Sequence, residues 1–395
     1  MNTTTAASPV PTVAPRDPSD LETPMLSHIS LGSPSENSKT KKQAKTAAAL
    51  RAAPLAFAAL AEPRALTREE AAFVAQQAPV TVADLTVAVS AAERAAGQLE
   101  PATVARAAGV LAAFGVVKLG GAWAAEPVLV EPAVAALHDH LARVMRQLAA
   151  KGLSPDDAFG YRQIVHRSLG RYDLSLEGVV SFSGRQNGGG GALPAVRDQS
   201  AGVQVMRALL ASPRWKPLLA HVLGPDYKTT VTAALLAKPG CAEQAPHCDG
   251  GHLFHATHGF GGPGGAHVPA HALQLFLPLC DTPVARGPTE FWPGSHLGCN
   301  AAWAHLMPHR VALEATSGDA ILFDFRVRHR GLANRSDQWR PILYQTCSRA
   351  WFTDDFNFPD ASLDDDDGDG GTGAPAAYES GTAGTRAGFV RRSGE

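Results

Sequence analysis

Between residues 46 and 150 the apolar positions recur at three- and four-residue spacing, the repeat of one helix face. Leu137, Leu141, Val144 and Leu148 show it most plainly. The spacing predicts helices over 47–60, 67–77, 101–113 and 132–150, and Thr67 with Glu70 reads as a capping box for the second. From residue 229 the texture changes. Short apolar runs at 229–238, 273–279, 289–292, 311–314, 319–325 and 341–348 alternate with Gly, Pro and Asp turns. Such runs predict short strands of an antiparallel sandwich or barrel. No strand-helix-strand alternation occurs here and no GxGxxG or GxxxxGK sequence opens a helix, so the glycine run 188–191 reads as a flexible loop.

Neither end of the chain has the composition of a core. Residues 1–45 carry Pro, Ser, Thr and Lys with almost no large apolar side chains and read as a disordered tail. Residues 362–395 read as a second one, acidic and Gly-rich, with Asp364, Asp365, Asp366 and Asp367 in a row. That run lacks the closing Glu of a calcium loop and is expected to be solvated. The folded body is therefore one domain over 46–361. It has a helical N-terminal part over 46–225 and an all-β core mainly over 226–352.

Composition narrows the classes. A chain of 395 residues with 45% apolar and 18% charged residues is globular, and its 38 Gly and 29 Pro belong in loops and tails. A formal net charge of -2 gives no support to nucleic-acid or anionic-membrane binding. Five cysteines without a CxxC pair (Cys241, Cys248, Cys280, Cys299, Cys347) read as reduced thiols. No apolar run is long enough to span a bilayer. Residues 1–24 faintly suggest a transit peptide, but Asp17, Asp20 and Glu22 argue against one. The expectation is a cytoplasmic protein, or one sent to an organelle by an unrecognised segment. It is expected to be a monomer or weak dimer acting on a small molecule.

The chemistry sits in the second half. His247 and Asp249 are two residues apart, so in an extended segment both side chains point to one side. A sandwich can bring His329 beside them. Two imidazoles and one carboxylate suit Fe(II) and leave coordination positions open for a 2-oxo acid and dioxygen. Arg340 opens an apolar run, where a buried guanidinium needs an anion. Its planar fork fits the distal carboxylate of 2-oxoglutarate. Tyr344 and Thr346 share its face by alternation, and Gln274 is a polar residue inside an apolar run. These three are candidates for lining the same co-substrate pocket.

Other residues read differently. His252, His255, His258, His267 and His271 fall in a glycine-rich stretch. It reads as a lid hinged at Gly259, Gly261 and Gly262, with Phe254 and Phe260 to close over substrate, rather than as a second metal site. His296 reads as structural. Tyr161, Arg162, His166 and Arg171 lie in a segment too polar for plain core, and Arg162 or Arg171 is a candidate for recognising an anionic substrate.

Three stretches together resemble a known family. These are Gln244-Ala245-Pro246-His247-Cys248-Asp249-Gly250, then Pro288-Thr289-Glu290-Phe291-Trp292-Pro293-Gly294-Ser295-His296, then Gly318-Asp319 through His329-Arg330-Gly331-Leu332-Ala333-Asn334-Arg335-Ser336 to Arg340. They look like the phytanoyl-CoA dioxygenase family of 2-oxoglutarate oxygenases over 225–352, and more loosely around Gly115-Val116-Val117-Lys118-Leu119. The resemblance implies a double-stranded β-helix, or jelly roll, with helices packed outside. It implies His247, Asp249 and His329 as iron ligands and Arg340 as the 2-oxoglutarate anchor. The reaction it implies is hydroxylation of an unactivated C–H bond, with dioxygen consumed and succinate and carbon dioxide released. Desaturation, cyclisation or protein hydroxylation by the same machinery is the alternative, and a jelly-roll binding protein without turnover is another. The intact Asp249 favours hydroxylation over halogenation. One departure is Gly331, where the family's mammalian enzyme carries a serine.

Overall fold

The strands at Ala272–Pro278, Ala320–Asp324 and Arg340–Ser348 are buried on both faces. The computed structural model describes residues 79–157, 159–180, 200–250, 269–297, 309–352, 358–359 and 361–364. All of them lie in one of the chain's two compact units, Phe57–Glu395. The predicted helices at 47–60 and 67–77, the capping box at Thr67, the glycine run 188–191 and Cys299 lie outside the described residues.

In chain order the elements are β1 (Thr86–Ala88), α1 (Ala91–Ala96), α2 (Pro101–Phe114), β2 (Val116–Gly120), α3 (Pro127–Ala150), β3 (Gly160–Tyr161), β4 (Ile164–Ser168) and β5 (Arg171–Ser175). There follow α4 (Ala201–Leu210), α5 (Lys216–Leu223), β6 (Lys228–Ala237), β7 (Ala272–Pro278), β8 (Thr289–Phe291), β9 (Val311–Leu313), β10 (Ala320–Asp324), β11 (His329–Gly331) and β12 (Arg340–Ser348). Nine strands form one sheet in the order β1-β2-β10-β7-β12-β6-β5-β4-β3, and three form another, β11-β8-β9. β1 and β2 run parallel while the other pairs are antiparallel, so the sheet is mixed. The pair is jelly-roll-like, and among the described residues it does not close into a barrel.

Period-two alternation sorts each strand between two cores. One face of the large sheet sends Val117, Leu119, Leu174, Leu236, Leu275, Leu277, Leu322 and Leu343 against the helices. There they meet Leu137, Leu141, Val144 and Leu148 of α3, whose burial contributes about 1.5–3 kcal/mol each. The other face sends Val116, Ala233, Phe276, Ile321, Phe323, Ile342 and Tyr344 toward Phe291, Val311 and Leu313 of the small sheet. The chemistry lies on this second, inner face.

Three expectations are corrected. The part read as helical carries five strands, β1 to β5, three of them adding to the sheet beyond β6. They are short, and β5 turns its polar side inward, so neither length nor apolar alternation marks them. The helix expected from 132 begins at Pro127, with Glu126 as N-cap and Pro132 inside it. Proline favours the first helical turn, and two prolines competed for that role. The body also continues past 361: Leu363 is buried in the outer core and its N–H donates to Gln163 Oε1 at 3.0 Å.

Two helical glycines give opposite predictions for one substitution. A Cβ on Gly202 of α4 would lie 2.0 Å from the Pro132 carbonyl oxygen of α3, whereas a Cβ on the exposed Gly109 of α2 would meet nothing within 4 Å. Gly202→Ala is expected to lower unfolding free energy by about 3 kcal/mol. Gly109→Ala is expected to raise it by about 0.5–1 kcal/mol. Denaturant titration of the two variants checks both signs.

Candidate metal and co-substrate site

After β6 the chain turns at Gly240, whose φ is 76°, and runs back antiparallel to β11. Gln244 N–H donates to Gly331 O at 2.9 Å, His247 N–H to His329 O at 2.9 Å, and His329 N–H to His247 O at 2.8 Å. This extended course puts His247 and Asp249 on one side. Cys248 faces the other way, its Sγ 3.1 Å from Arg326 O. One ligand atom from each of His247, Asp249 and His329 lies within 4.8 Å of the others. Asp249 Oδ1 is 3.9 Å from His247 Nε2 and 3.6 Å from His329 Nε2.

The two imidazoles are held alike. His247 Nδ1 is 2.9 Å from Ala245 O, and His329 Nδ1 is 3.0 Å from Val327 O. A carbonyl only accepts, so each Nδ1 carries the proton and each Nε2 lone pair faces Asp249. Burial and the neighbouring His329 push His247 down to about 4, against the opposing pull of Asp249. At neutral pH it is an uncharged donor. The arrangement is a facial-triad-like set that fits Fe(II).

A hydrogen-bonded relay braces the carboxylate. Thr346 Oγ1 donates to Gln274 Oε1 at 3.0 Å, and Gln274 Nε2 donates to Asp249 Oδ2 at 3.1 Å. Thr346 and Gln274 face each other across β12 and β7. The relay occupies Oδ2 and leaves Oδ1 toward the imidazoles. Gln274 and Thr346 were expected among the co-substrate contacts, and the structure engages both with Asp249. Gln274→Leu is expected to weaken metal binding by about 10–100-fold, the usual scale for a residue orienting a ligand. Equilibrium titration with Mn(II) measures it, and an unchanged affinity would mean Asp249 needs no brace.

Arg340 is buried at the start of β12, and its Nη1 donates to Gly287 O. Burial and the nearby Arg171 lower it to about 9. Tyr344 lies on the same face of β12 but points to Asp173 of β5, its hydroxyl donating to Oδ1 at 2.8 Å. Asp173 Oδ2 accepts from Arg167 Nε and Nη2 at 2.9 and 2.6 Å. Burial, the largest influence, raises the pKa of Asp173. Arg167 and Asp173 did not stand out in the sequence. Alternation in β5 was the available signal, since it places Arg171 and Asp173 on one face.

The remaining candidates sort by face. His166 lies on the helix side, stacked between Phe159 and Tyr172 with its Nδ1 2.6 Å from Asp157 O. Tyr161 packs against the outer core, and Arg162 sits in the turn between β3 and β4. His296 is buried with Nε2 3.1 Å from Ala112 O, beneath the end of α2. His271 is buried against Phe352, ring centroids 4.5 Å apart. His252, His255, His258, His267, Phe254, Phe260 and the three hinge glycines lie outside the described residues.

Two facing sheets and a His/His/Asp cluster define the class of Fe(II)/2-oxoglutarate oxygenases. Within that class the chain belongs to the phytanoyl-CoA dioxygenase (PhyH) family, whose model matches residues 118–342, more than half of the sequence. Among solved structures it is similar to EvdMO1, with 21% identity, a TM-score of 0.40, and 61% of this chain and 48% of that chain covered. It thus spans about half of EvdMO1. The epimerase SnoN, in complex with Fe3+, alpha ketoglutarate and nogalamycin RO, is 20% identical with a TM-score of 0.42, covering 70% of this chain and 94% of that chain. AviO1 from Streptomyces viridochromogenes Tue57 is 20% identical with a TM-score of 0.41, covering 67% and 99%. No helix among the described residues is long and apolar enough to cross a membrane.

Proposed function

We propose that the chain is an Fe(II)- and 2-oxoglutarate-dependent dioxygenase that removes hydrogen from an unactivated C–H bond of a small molecule. The observation that carries this reading is the convergence of His247, Asp249 and His329, with both Nδ1 atoms tied to carbonyls. These three residues would hold the iron. Arg340 would receive the distal carboxylate of 2-oxoglutarate, its buried guanidinium supplying charge and a rigid fork. The two sheets would be the halves of a double-stranded β-helix in a single oxygenase domain.

When bound, iron supplies the activation of dioxygen and couples it to oxidative decarboxylation of the 2-oxo acid. The protein's own work is positional. Asp249 and the two imidazoles fix three corners of the metal's surroundings, and the Gln274 relay sets the carboxylate's rotation. Phe291 and Phe323, with ring centroids 5.8 and 4.8 Å from His329, keep water from its far side. In the hydroxylating balance, 2-oxoglutarate, dioxygen and R–H give succinate, carbon dioxide and R–OH.

The residues described bind metal and co-substrate, a requirement common to hydroxylation, desaturation and cyclisation. The reading therefore commits to hydrogen removal, and the product's mass decides its fate. Full-length protein with Fe(II), ascorbate and 2-oxoglutarate is incubated with a metabolite library and followed by succinate release and mass spectrometry. Gain of one oxygen atom marks hydroxylation, and loss of two hydrogens marks desaturation or ring closure. Hydroxylation of a protein would appear on peptides instead. Failure to release succinate with any substrate, together with full function in His247→Ala, would leave a binding protein and overturn the proposal.

A further inference from the structure

β12 passes the metal cluster from one end to the other. Arg340 opens it, Thr346 stands opposite Gln274 of β7, and Ser348 stands opposite Ala272 at the far end. Strands rise about 3.4 Å per residue, so the Thr346–Gln274 pair that braces Asp249 lies about 20 Å along from Arg340 and about 7 Å from Ser348. The Arg340 end is filled. Arg340 and Arg171 are both buried and both stand opposite Ala237, and a Cβ on Gly331 would lie 2.5 Å from Arg171 Nη1. A second small molecule reaches the metal from another side, and the Ser348 end is the nearer one.

That end carries aromatic rings from the ligand segment to the surface. Gly250, next to Asp249, sits on Phe325: its N–H donates to Phe325 O at 3.0 Å, and a Cβ there would lie 2.7 Å from Phe325 Cδ2. Phe325 meets Phe352 edge to face with ring centroids 6.2 Å apart, and Phe352 meets Trp351 in the same way at 6.0 Å. His271 packs against both, 4.5 Å from Phe352 and 6.4 Å from Trp351. The turn that holds these rings is pinned. Phe352 N–H donates to Arg349 O at 3.0 Å, Arg349 N–H to His271 O at 2.9 Å, and Ser348 Oγ to Phe352 O at 3.3 Å. Arg349 Nε and Nη2 donate to Ala270 O and Val222 O at 2.8 and 2.9 Å. Yet Trp351 is 62% exposed, and among the described residues it is the only exposed Trp, Phe or Tyr. A fixed indole with an open face offers apolar surface at little cost in ordering. The one charged side chain of the turn, Arg349, is already engaged, so the strip matches an uncharged ring.

We propose that Trp351 is a specificity residue for the primary substrate, its indole stacking on an uncharged aromatic ring that this small molecule carries, with Phe352 and Phe325 lining the way to the metal. This rests on the proposed function and names a substrate class for it. The ring held at Trp351 sets which part of the molecule lies over the metal cluster, and acyclic molecules of similar polarity gain nothing from it.

Proton NMR of 2-naphthol, a neutral two-ring probe, tests it on the full chain loaded with 2-oxoglutarate and either Mn(II) or Zn(II). Mn(II) is paramagnetic, so extra broadening of the probe's lines over the Zn(II) sample reports a bound probe beside the metal cluster. The wild-type protein is expected to bind the probe with that extra broadening. Trp351→Ala is expected to weaken the binding by about 3–10-fold, the worth of one aromatic pair, and to leave Mn(II) affinity unchanged. Trp351→Phe, which keeps a ring, restores most of the loss, and hexan-1-ol binding does not depend on Trp351. Trp351→Gln takes the place of Trp351→Ala if circular dichroism shows the latter unfolded. Unchanged probe binding in the variant, no binding in the wild type, or binding without extra broadening overturns the role of Trp351 and leaves the function standing. So does self-association of the wild type that Trp351→Ala abolishes in sedimentation, since the indole is then an interface between copies. A wild-type protein that binds neither Mn(II) nor 2-oxoglutarate overturns the function as well.

Discussion

His329→Ala is expected to weaken metal binding by more than the roughly 100-fold that marks the upper range for a bracing residue, and to bring succinate formation to background. Its imidazole is buried, held by Val327 O and packed against Phe291 and Phe323, and among the described residues no fourth histidine, cysteine or carboxylate joins the cluster to replace it. Asp249→Ala should behave alike. Cys248→Ala supplies the control: it lies between two proposed ligands, yet its Sγ points to Arg326 O, so metal affinity should not change. Titration with Mn(II), followed by the quenching of its spin resonance, compares all three. Retention of wild-type affinity by His329→Ala would sink the ligand set.

Arg340→Met is expected to separate stability from function. Loss of the guanidinium should weaken 2-oxoglutarate by about 100-fold, because a desolvated charge pair is lost. The empty protein should not be weakened in step. A buried cation short of partners costs the fold, and an apolar side chain of similar volume is commonly neutral or stabilising by about 1–4 kcal/mol. Against that stands one lost bond to Gly287 O, about 1 kcal/mol. Unfolding free energy without ligand should therefore hold level or rise by about 1–2 kcal/mol, while the stabilisation given by added 2-oxoglutarate disappears. Denaturant curves with and without 2-oxoglutarate read both quantities. A large drop in the ligand-free protein would make Arg340 a structural residue.

Much of the site was legible because its signals are short-range. Two residues apart in an extended segment means one side, and this alone joined His247 to Asp249. A polar residue inside an apolar strand needs a partner, which singles out Gln274 and Arg340, and alternation along the strand adds Tyr344 and Thr346 on the Arg340 face. Length hid β11, a strand of three residues that carries His329 and finds its partners in β8 and the His247 segment. An inverted pattern hid β5. Arg171, Asp173 and Ser175 face the inner side while Tyr172 and Leu174 pack against the helices, so the strand imitates a surface one. The relation of Asp173 to Tyr344 and of Arg171 to Gly331 depends on strand order, which no local spacing encodes. Helix α3 was visible in its apolar stripe, whereas its start was obscured by a second proline.

The backbone bridge between His247 and His329 also joins two members of the proposed ligand set from distant parts of the chain. As the chain is synthesised, His247 and Asp249 emerge first and offer two donors in a segment with no partner strand. The third donor arrives only with β11, by which point its partner strand β8 has already been made. Under the proposed ligand set, a half-made chain has little grip on iron. On that reading, redox-active metal would be held firmly only after the sheets around it have assembled.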